Sequence, residues 1–292
     1  MKYLAPSITQ LESPYLSKQN TGLGNVLFQL ASTYGLAKDS GREVSTYYLK
    51  QFTDKLRTLY NFHHDEVIYK RFLDTTDKTV EPTETVYDIG NKRYEPSLLT
   101  SVQTASAPCV KVEGYLECPI HFDKYRKEIL ELINPGQFDE WLVTLIPALF
   151  DPSYTPISVH IRNAYDAVKV KHGYYKTAVE MIGLFVPNPY FFIFIDDPSQ
   201  LPFDPHAIGM TNVQLVHFEE DYVDLFCMSH CTHHIASLST FCWWGTYLCT
   251  HPEKKIFISR ESAQYCMNAN GLAEEEYLRD YFLGCASILP SS

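Results

Sequence analysis

The chain has 292 residues, 45% of them hydrophobic, which suffices for one large or two medium α/β domains and excludes a disordered polymer. Lys and Arg number 24 against 35 Asp and Glu, and the formal charge of −11 disfavours a general binder of nucleic acid or anionic membrane, while leaving room for a local basic pocket. No window reaches the uninterrupted apolar length of a membrane span, and Met1 to Pro6 lack the apolar core of a signal peptide. The expectation is a soluble, cytoplasmic protein without a transmembrane anchor, with free thiols at its 8 cysteines and compatible with a homo-oligomer.

In chain order, Asn20-Thr21-Gly22-Leu23-Gly24-Asn25 is a glycine turn leading into a predicted helix over residues 26–38, with Leu27, Leu30, Ala31, Tyr34 and Leu36 as its apolar face. Amides at such a loop-to-helix start can face an anion or a sugar. Read alone, the two glycines fit a tight turn or cap more readily. Residues 43–48 and 110–117 read as strands. Residues 122–133 read as an amphipathic helix stopped by Asn134-Pro135-Gly136, and 138–150 as a second helix. A domain change is predicted at Asp151-Pro152-Ser153, giving domains 1–153 and 154–292, with the last 15 or so residues able to pack back on the first.

The second half alternates more regularly. Strands are predicted at 157–161, 190–195, 213–216, 234–236 and 254–258, with helices at 173–185, 222–231 and from 240 to 248. Strand and helix in alternation imply a parallel sheet covered on both faces. Cys227, His230, Cys231, His233 and His234 could crowd metal ligands onto one or two turns. Leu225, Met228 and Ile235 share that stretch, however, and no second ligand group has matching spacing, so packing is expected there.

The stretch Ile157 to Asp166, I-S-V-H-I-R-N-A-Y-D, delivers His160 and Arg162 to the carboxyl end of a strand. A guanidinium there is a planar, permanently charged clamp for phosphate oxygens, although a buried strand ending in a surface turn explains the same residues equally well. The same sheet edge collects Asp196, Asp197, Ser239 and Thr240. A carboxylate at Asp196 or Asp197 could accept from the N1–H and N2–H₂ of guanine, beside His160. Ser239 and Thr240 could offer hydroxyl and amide donors to phosphate. A turn opened by Asp-Asp-Pro and ordinary helix capping are the alternatives. Trp243 and Trp244 invite sugar stacking, but Phe241, Tyr247 and Leu248 beside them favour packing.

Taken together, these residues resemble glycosyltransferase family 11, the α-1,2-fucosyltransferases. Thr21 to Ala31 (T-G-L-G-N-V-L-F-Q-L-A) is similar to that family's G-G-L-G-N-Q-x-F-Q-Y-A, and Gly114 to Glu117 to its G-Y-x-Q. Val159 to Arg162 matches the start of V-H-x-R-R-G-D, Tyr174-Tyr175-Lys176 the Y-Y-x-x-A-I helix, and Phe194 to Pro198 the F-S-D-D-P motif. Asp224 to Ser229 resembles D-L-x-x-M-S, and Ser239 to Gly245 matches S-S-F-S-W-W-G almost residue for residue. The likeness runs in order from about residue 20 to about residue 260.

The resemblance implies an inverting, metal-independent enzyme of the GT-B type, with two Rossmann-like α/β domains facing a cleft. It implies GDP-fucose as donor, a glycan acceptor and no cofactor. His160, Arg162, Asp196 or Asp197, Ser239, Thr240 and Phe241 fall on the donor side; Gly22, Gly24 and Asn25 fall on the acceptor side. Arg162 would steady the leaving diphosphate, and Asp166 is the nearest carboxylate for a general base, with a helix cap as its plainer role. Departures from the family pattern lie at Thr21, Val26, Asn163, Ala164, Tyr165, Ile195 and Leu238. They keep two other readings open: the same fold serving another linkage or GDP-sugar, and a non-catalytic sugar-nucleotide or glycan-binding relative.

Overall fold

The computed structural model describes residues 1–8, 22–60, 67–75, 78–162 and 172–290. The chain forms two compact α/β units, Met1–Asn134 and Pro135–Ser292, each built on a parallel sheet. The boundary precedes the predicted one. Phe138 stacks on Tyr222 with ring centroids 5.9 Å apart, and Phe150 lies 5.1 Å from His230, so the segment that was expected to close the first domain packs into the second unit.

The first sheet holds β1 (Tyr3–Pro6), β2 (Glu43–Val44), β3 (Glu84–Tyr87) and β4 (Cys109–Glu113) in the order β2-β1-β4-β3, all parallel. Helix α1 (Leu23–Ser40) follows β1 and is buried along most of its length, starting from Gly22 at φ 57° and closing on Gly41 at φ 67°. Both turns need the left-handed region, where glycine avoids the Cβ clash. The strand predicted over 43–48 stops at Val44, because α2 (Tyr47–Tyr60) begins there and the Lys50 amide already donates to the Thr46 carbonyl at 2.9 Å. Further helices are α3 (Lys70–Thr75), α4 (Pro96–Thr104) and α5 (Arg126–Ile133).

A buried arginine ties the amino end of this sheet. Arg42 donates to the carbonyls of Val102, Tyr3, Ala107 and Ala105 at 2.8–3.2 Å. Two of those carbonyls belong to the end of α4, where unpaired acceptors and the negative pole of the helix favour a cation.

In the second unit, the helix predicted over 138–150 is broken by Pro147 into α6 (Asp139–Leu145) and α7 (Pro147–Phe150). The sheet comprises β5 (Thr155–Ile161), β6 (Pro189–Ile195), β7 (Val213–Val216), β8 (His233–Ala236), β9 (Ile256–Ser259) and β10 (Ala286–Leu289), in the order β10-β9-β8-β5-β6-β7 and parallel throughout. Helices α8 (His172–Gly183), α9 (Asp221–His230), α10 (Thr240–Leu248) and α11 (Arg260–Asn270) accompany it. The closing segment stays with this unit: β10 pairs with β9, and the Trp243 indole donates to the Tyr281 carbonyl at 2.8 Å.

Two motifs of the sequence are packing devices. The Tyr174 hydroxyl, fully buried, lies 2.8 Å from the Ala236 carbonyl and 2.7 Å from that of Phe257, pinning α8 across β8 and β9. A Cβ on Gly245 would overlap Met228 Sδ, so the glycine lets α10 lie directly against α9. Trp243 and Trp244 are both buried, as the packing reading expects, with Trp243 stacked 4.8 Å from Tyr247. All 8 cysteines are free thiols. Among the described residues no helix is long and apolar enough to cross a membrane.

Candidate functional site

The order of the second sheet reverses between β5 and β8. From β5 the chain proceeds outward through β6 and β7, then returns to the other side of β5 for β8, β9 and β10. At such a reversal the loops after the two strands run apart and leave a crevice at the carboxyl edge, where open α/β sheets take their ligands. The residues that end β5 and β8 meet there.

His160, next to last in β5, is buried, and its Nδ1 lies 2.6 Å from Ser237 Oγ just past β8. Burial, helped by the neighbouring Arg162 charge, pushes the His160 imidazolium down to about 3, so the ring is neutral at working pH and carries one donor and one acceptor nitrogen. Its ring lies 5.9 Å from that of Phe241. Arg162, the exposed residue that closes β5, donates from Nη1 to Ser239 Oγ at 3.2 Å. Ser239 is the N-cap of α10, yet its side chain makes no cap bond to the helix. The guanidinium, a serine hydroxyl and the positive pole of α10 thus converge at one place, an arrangement suited to a phosphate group.

The other nominated residues divide. Asp197 is committed to its own turn, accepting from the Ser199 amide at 2.9 Å, the Ser199 hydroxyl at 2.7 Å and the Gln200 side chain at 2.8 Å. Those bonds, with the Ser199 hydroxyl foremost, hold its carboxyl below the usual range. Asp196, the residue after β6, is exposed, and its charge acts on the buried Asp224. Thr240 and Phe241 open α10. Gly22, Gly24 and Asn25 lie in the first unit at the start of α1, where the Asn25 amide donates to the Gly22 carbonyl at 2.8 Å. Asp166, with Asn163, Ala164 and Tyr165, lies outside the described residues, as does Thr21.

The cysteine and histidine cluster is occupied locally. Cys231 Sγ donates to the Cys227 carbonyl, His234 Nδ1 lies 2.7 Å from Ser158 Oγ, and His230 Nε2 lies 3.0 Å from Asp139 Oδ1. His233 Nδ1 accepts from the Lys255 amide at 3.1 Å. Among the described residues, no three His, Cys, Asp or Glu side chains are placed to hold a metal ion.

Two residues were not nominated from sequence. Ser237 is the partner of His160, and only its place between strand and helix could have signalled that. Asp224, in the first turn of α9, is buried, and its Oδ1 accepts from the Phe218 amide at 3.1 Å. Burial pushes the Asp224 carboxyl up to about 8; the Phe218 amide opposes the rise, and Asp221 and Asp196 add to it. In the unfolded chain the same carboxyl titrates near ~4. Between about pH 4 and 8 the folded chain holds a proton that the unfolded chain has lost, so the stability this residue contributes is complete below that window and erodes through it. Asp224→Asn keeps the acceptor for Phe218 and removes the titration. Melting temperature should therefore fall less steeply with rising pH in the variant than in the parent; parallel curves would mean that the carboxyl is ionised throughout.

No protein-family model matches the chain. It is similar to an α-1,2-colitosyltransferase of Escherichia coli, at 23% identity over 257 residues, covering 78% of this chain and 84% of that protein. Among solved structures it is similar to the fucosyltransferase NodZ from Bradyrhizobium, with TM-score 0.44, 14% identity and coverage of 84% of this chain and 92% of that one. POFUT1 in complex with GDP gives TM-score 0.42 at 11% identity, covering 88% and 98%.

Proposed function

We propose that the chain is a glycosyltransferase of the GT-B type that moves L-fucose from GDP-fucose to a glycan hydroxyl, O2 of a galactose-like residue, with inversion at C1. The observation that carries this reading is the Arg162 to Ser239 contact of 3.2 Å at the reversal of the second sheet. A diphosphate leaving group needs fixed positive charge where its own charge grows, and this pair supplies it at a helix start. The likeness to a colitosyltransferase adds a relative whose name states sugar transfer and an α-1,2 linkage.

In the proposed reaction an acceptor oxygen bonds to C1 of the sugar as the bond from C1 to the β-phosphate oxygen breaks. The acceptor proton passes to a base, for which Asp166 is the candidate, and the charge left on GDP falls to Arg162, the Ser239 hydroxyl and the start of α10. Neutral His160 and the Asp196 carboxylate are assigned to the nucleobase edge. Gly22, Gly24 and Asn25 are assigned to the acceptor side. No metal or prosthetic group enters the scheme.

A second reading keeps this chemistry and changes the donor to GDP-colitose, which is GDP-fucose without its 3-hydroxyl. The colitosyltransferase likeness favours it, together with Ile195 and Leu238 where the resembled family has polar residues. Both readings are tested by measuring GDP release from GDP-fucose, GDP-colitose, GDP-mannose and UDP-galactose, with and without galactosides and EDTA. Release is expected from a 6-deoxy GDP-sugar in the presence of acceptor, unchanged by EDTA. GDP binding with no turnover of any donor would leave a sugar-nucleotide-binding protein and sink the enzyme reading.

A further inference from the structure

The hydroxyl that meets Arg162 belongs to the residue from which α10 grows. Ser239 Oγ accepts from Arg162 Nη1 at 3.2 Å, and the Ser239 carbonyl accepts from the Trp243 amide at 3.0 Å, which closes the first turn of the helix. Whatever holds Trp243 therefore holds the amino end of α10, because a helical turn passes position along its own backbone bonds.

Trp243 is held from outside its helix. The buried indole N–H donates to the Tyr281 carbonyl at 2.8 Å, and the ring stacks on Tyr247 at 4.8 Å and lies 5.8 Å from the ring of Tyr281. That carbonyl ends a π turn, Tyr277–Tyr281, in which the Phe282 amide reaches back five residues to the Tyr277 carbonyl at 3.4 Å. Turns with this extra residue are uncommon and frequently accompany functional sites. The Gly284 amide then donates to the Leu278 carbonyl at 2.8 Å, with Leu283 at φ 52° and Gly284 at φ 72°. A leucine in left-handed backbone persists only where the surroundings impose it. Here Tyr277 stacks on Tyr281 at 5.5 Å with Phe282 edge-on to both, and β10, just beyond, is paired with β9.

We infer that Trp243 is a positioning residue for the donor diphosphate: through its indole bond to the Tyr281 carbonyl, the closing segment of the chain fixes Ser239 and the start of α10 relative to Arg162, a role that rests on the transferase reading of this crevice. Packing alone would ask only for a large ring at this place, whereas the N–H is what ties α10 to the π turn. Hydrogen bonds to a phosphate oxygen weaken beyond about 3.2 Å, so a small displacement of α10 falls on the diphosphate. The nucleobase is assigned to His160 in β5 and Asp196 after β6, which that displacement leaves in place.

The test compares the parent with Trp243→Phe, which keeps a buried ring and removes the N–H, using calorimetry for GDP and a saturation-transfer NMR titration for guanosine. GDP affinity should fall about tenfold, the size of one hydrogen bond, with guanosine affinity unchanged. Equal losses for the two ligands would make Trp243 a residue of general stability, and an unchanged GDP affinity would detach the closing segment from the crevice; either overturns the inference. In the parent, the Trp243 indole proton should exchange with solvent more slowly when GDP is added and no more slowly with guanosine. That measurement needs no variant, and exchange indifferent to GDP would also overturn the inference. A parent that binds neither GDP nor guanosine would remove the sugar-nucleotide reading and the inference together, whereas the other adverse outcomes leave that reading standing.

Discussion

Arg162→Ala is expected to lower sugar transfer by about a hundredfold or more, since one donor aimed at a developing oxyanion is worth ~3 kcal/mol. The loss should fall on kcat as well as kcat/KM, because the charge it meets grows as the bond to C1 breaks. Folding should be untouched: the side chain is exposed at a strand end, and its removal opens no cavity. Arg162→Lys restores a charge without the planar fork and should recover only part of the rate. Ser239→Ala removes the hydroxyl that accepts from Arg162 Nη1 and frees the guanidinium to wander, so a smaller defect is expected there. Initial rates of GDP release, read beside matched circular dichroism spectra, decide the matter. Turnover close to that of the parent in Arg162→Ala would remove the diphosphate clamp from the proposal.

The second unit was more legible in the sequence than the first, for a reason visible in its strands. Residues Pro189–Ile195 and Thr155–Ile161 are buried on both faces of a parallel sheet, and such strands read as continuous apolar runs. In the first unit β1 is four residues ending in Pro6, and β3 is an edge strand with Glu84 and Thr85 in it, so neither carries that signature. Val44, Thr46, Tyr47 and Tyr48 favour a strand by propensity, but the chain turns into α2 after two paired residues. At the site, the meeting of Arg162 with Ser239 was readable because parallel order and loop position bring the ends of β5 and β8 to one sheet edge, whereas Ser237 as the partner of His160 was not. Burial of an acid was not: Asp224 occupies a first-turn position where an acidic residue is ordinary on the surface, and only packing makes it a buried carboxyl. Asp197 shows the reverse, a residue of functional type absorbed by its own turn.

Gly35→Ala is expected to destabilise the first unit by about 3 kcal/mol or more, against the ordinary trend for helices. In an exposed helix interior the change would stabilise by ~1 kcal/mol, because alanine loses less backbone entropy. Here α1 meets the backbone of the segment that follows β4. A Cβ on Gly35 would overlap the His121 carbonyl oxygen and stand 2.9 Å from Phe122 Cα. Those atoms cannot rotate aside as a side-chain tip could, and the same contact is clasped elsewhere by Ser32 Oγ donating to the Leu116 carbonyl at 2.8 Å and by Phe28 against Phe122. Relief therefore requires α1 and the segment to part, breaking both clasps. Gly41→Ala is the informative control: its φ of 67° is unsuited to alanine, but a Cβ there meets nothing within 4 Å, so the cost should be only ~1 kcal/mol. Urea titration followed by circular dichroism should rank parent, Gly41→Ala and Gly35→Ala in that order. Equal midpoints for the parent and Gly35→Ala would mean that α1 does not lie against residues 121–122 as closely as the structure has it, and the placement of the loop after β4 would have to be redrawn.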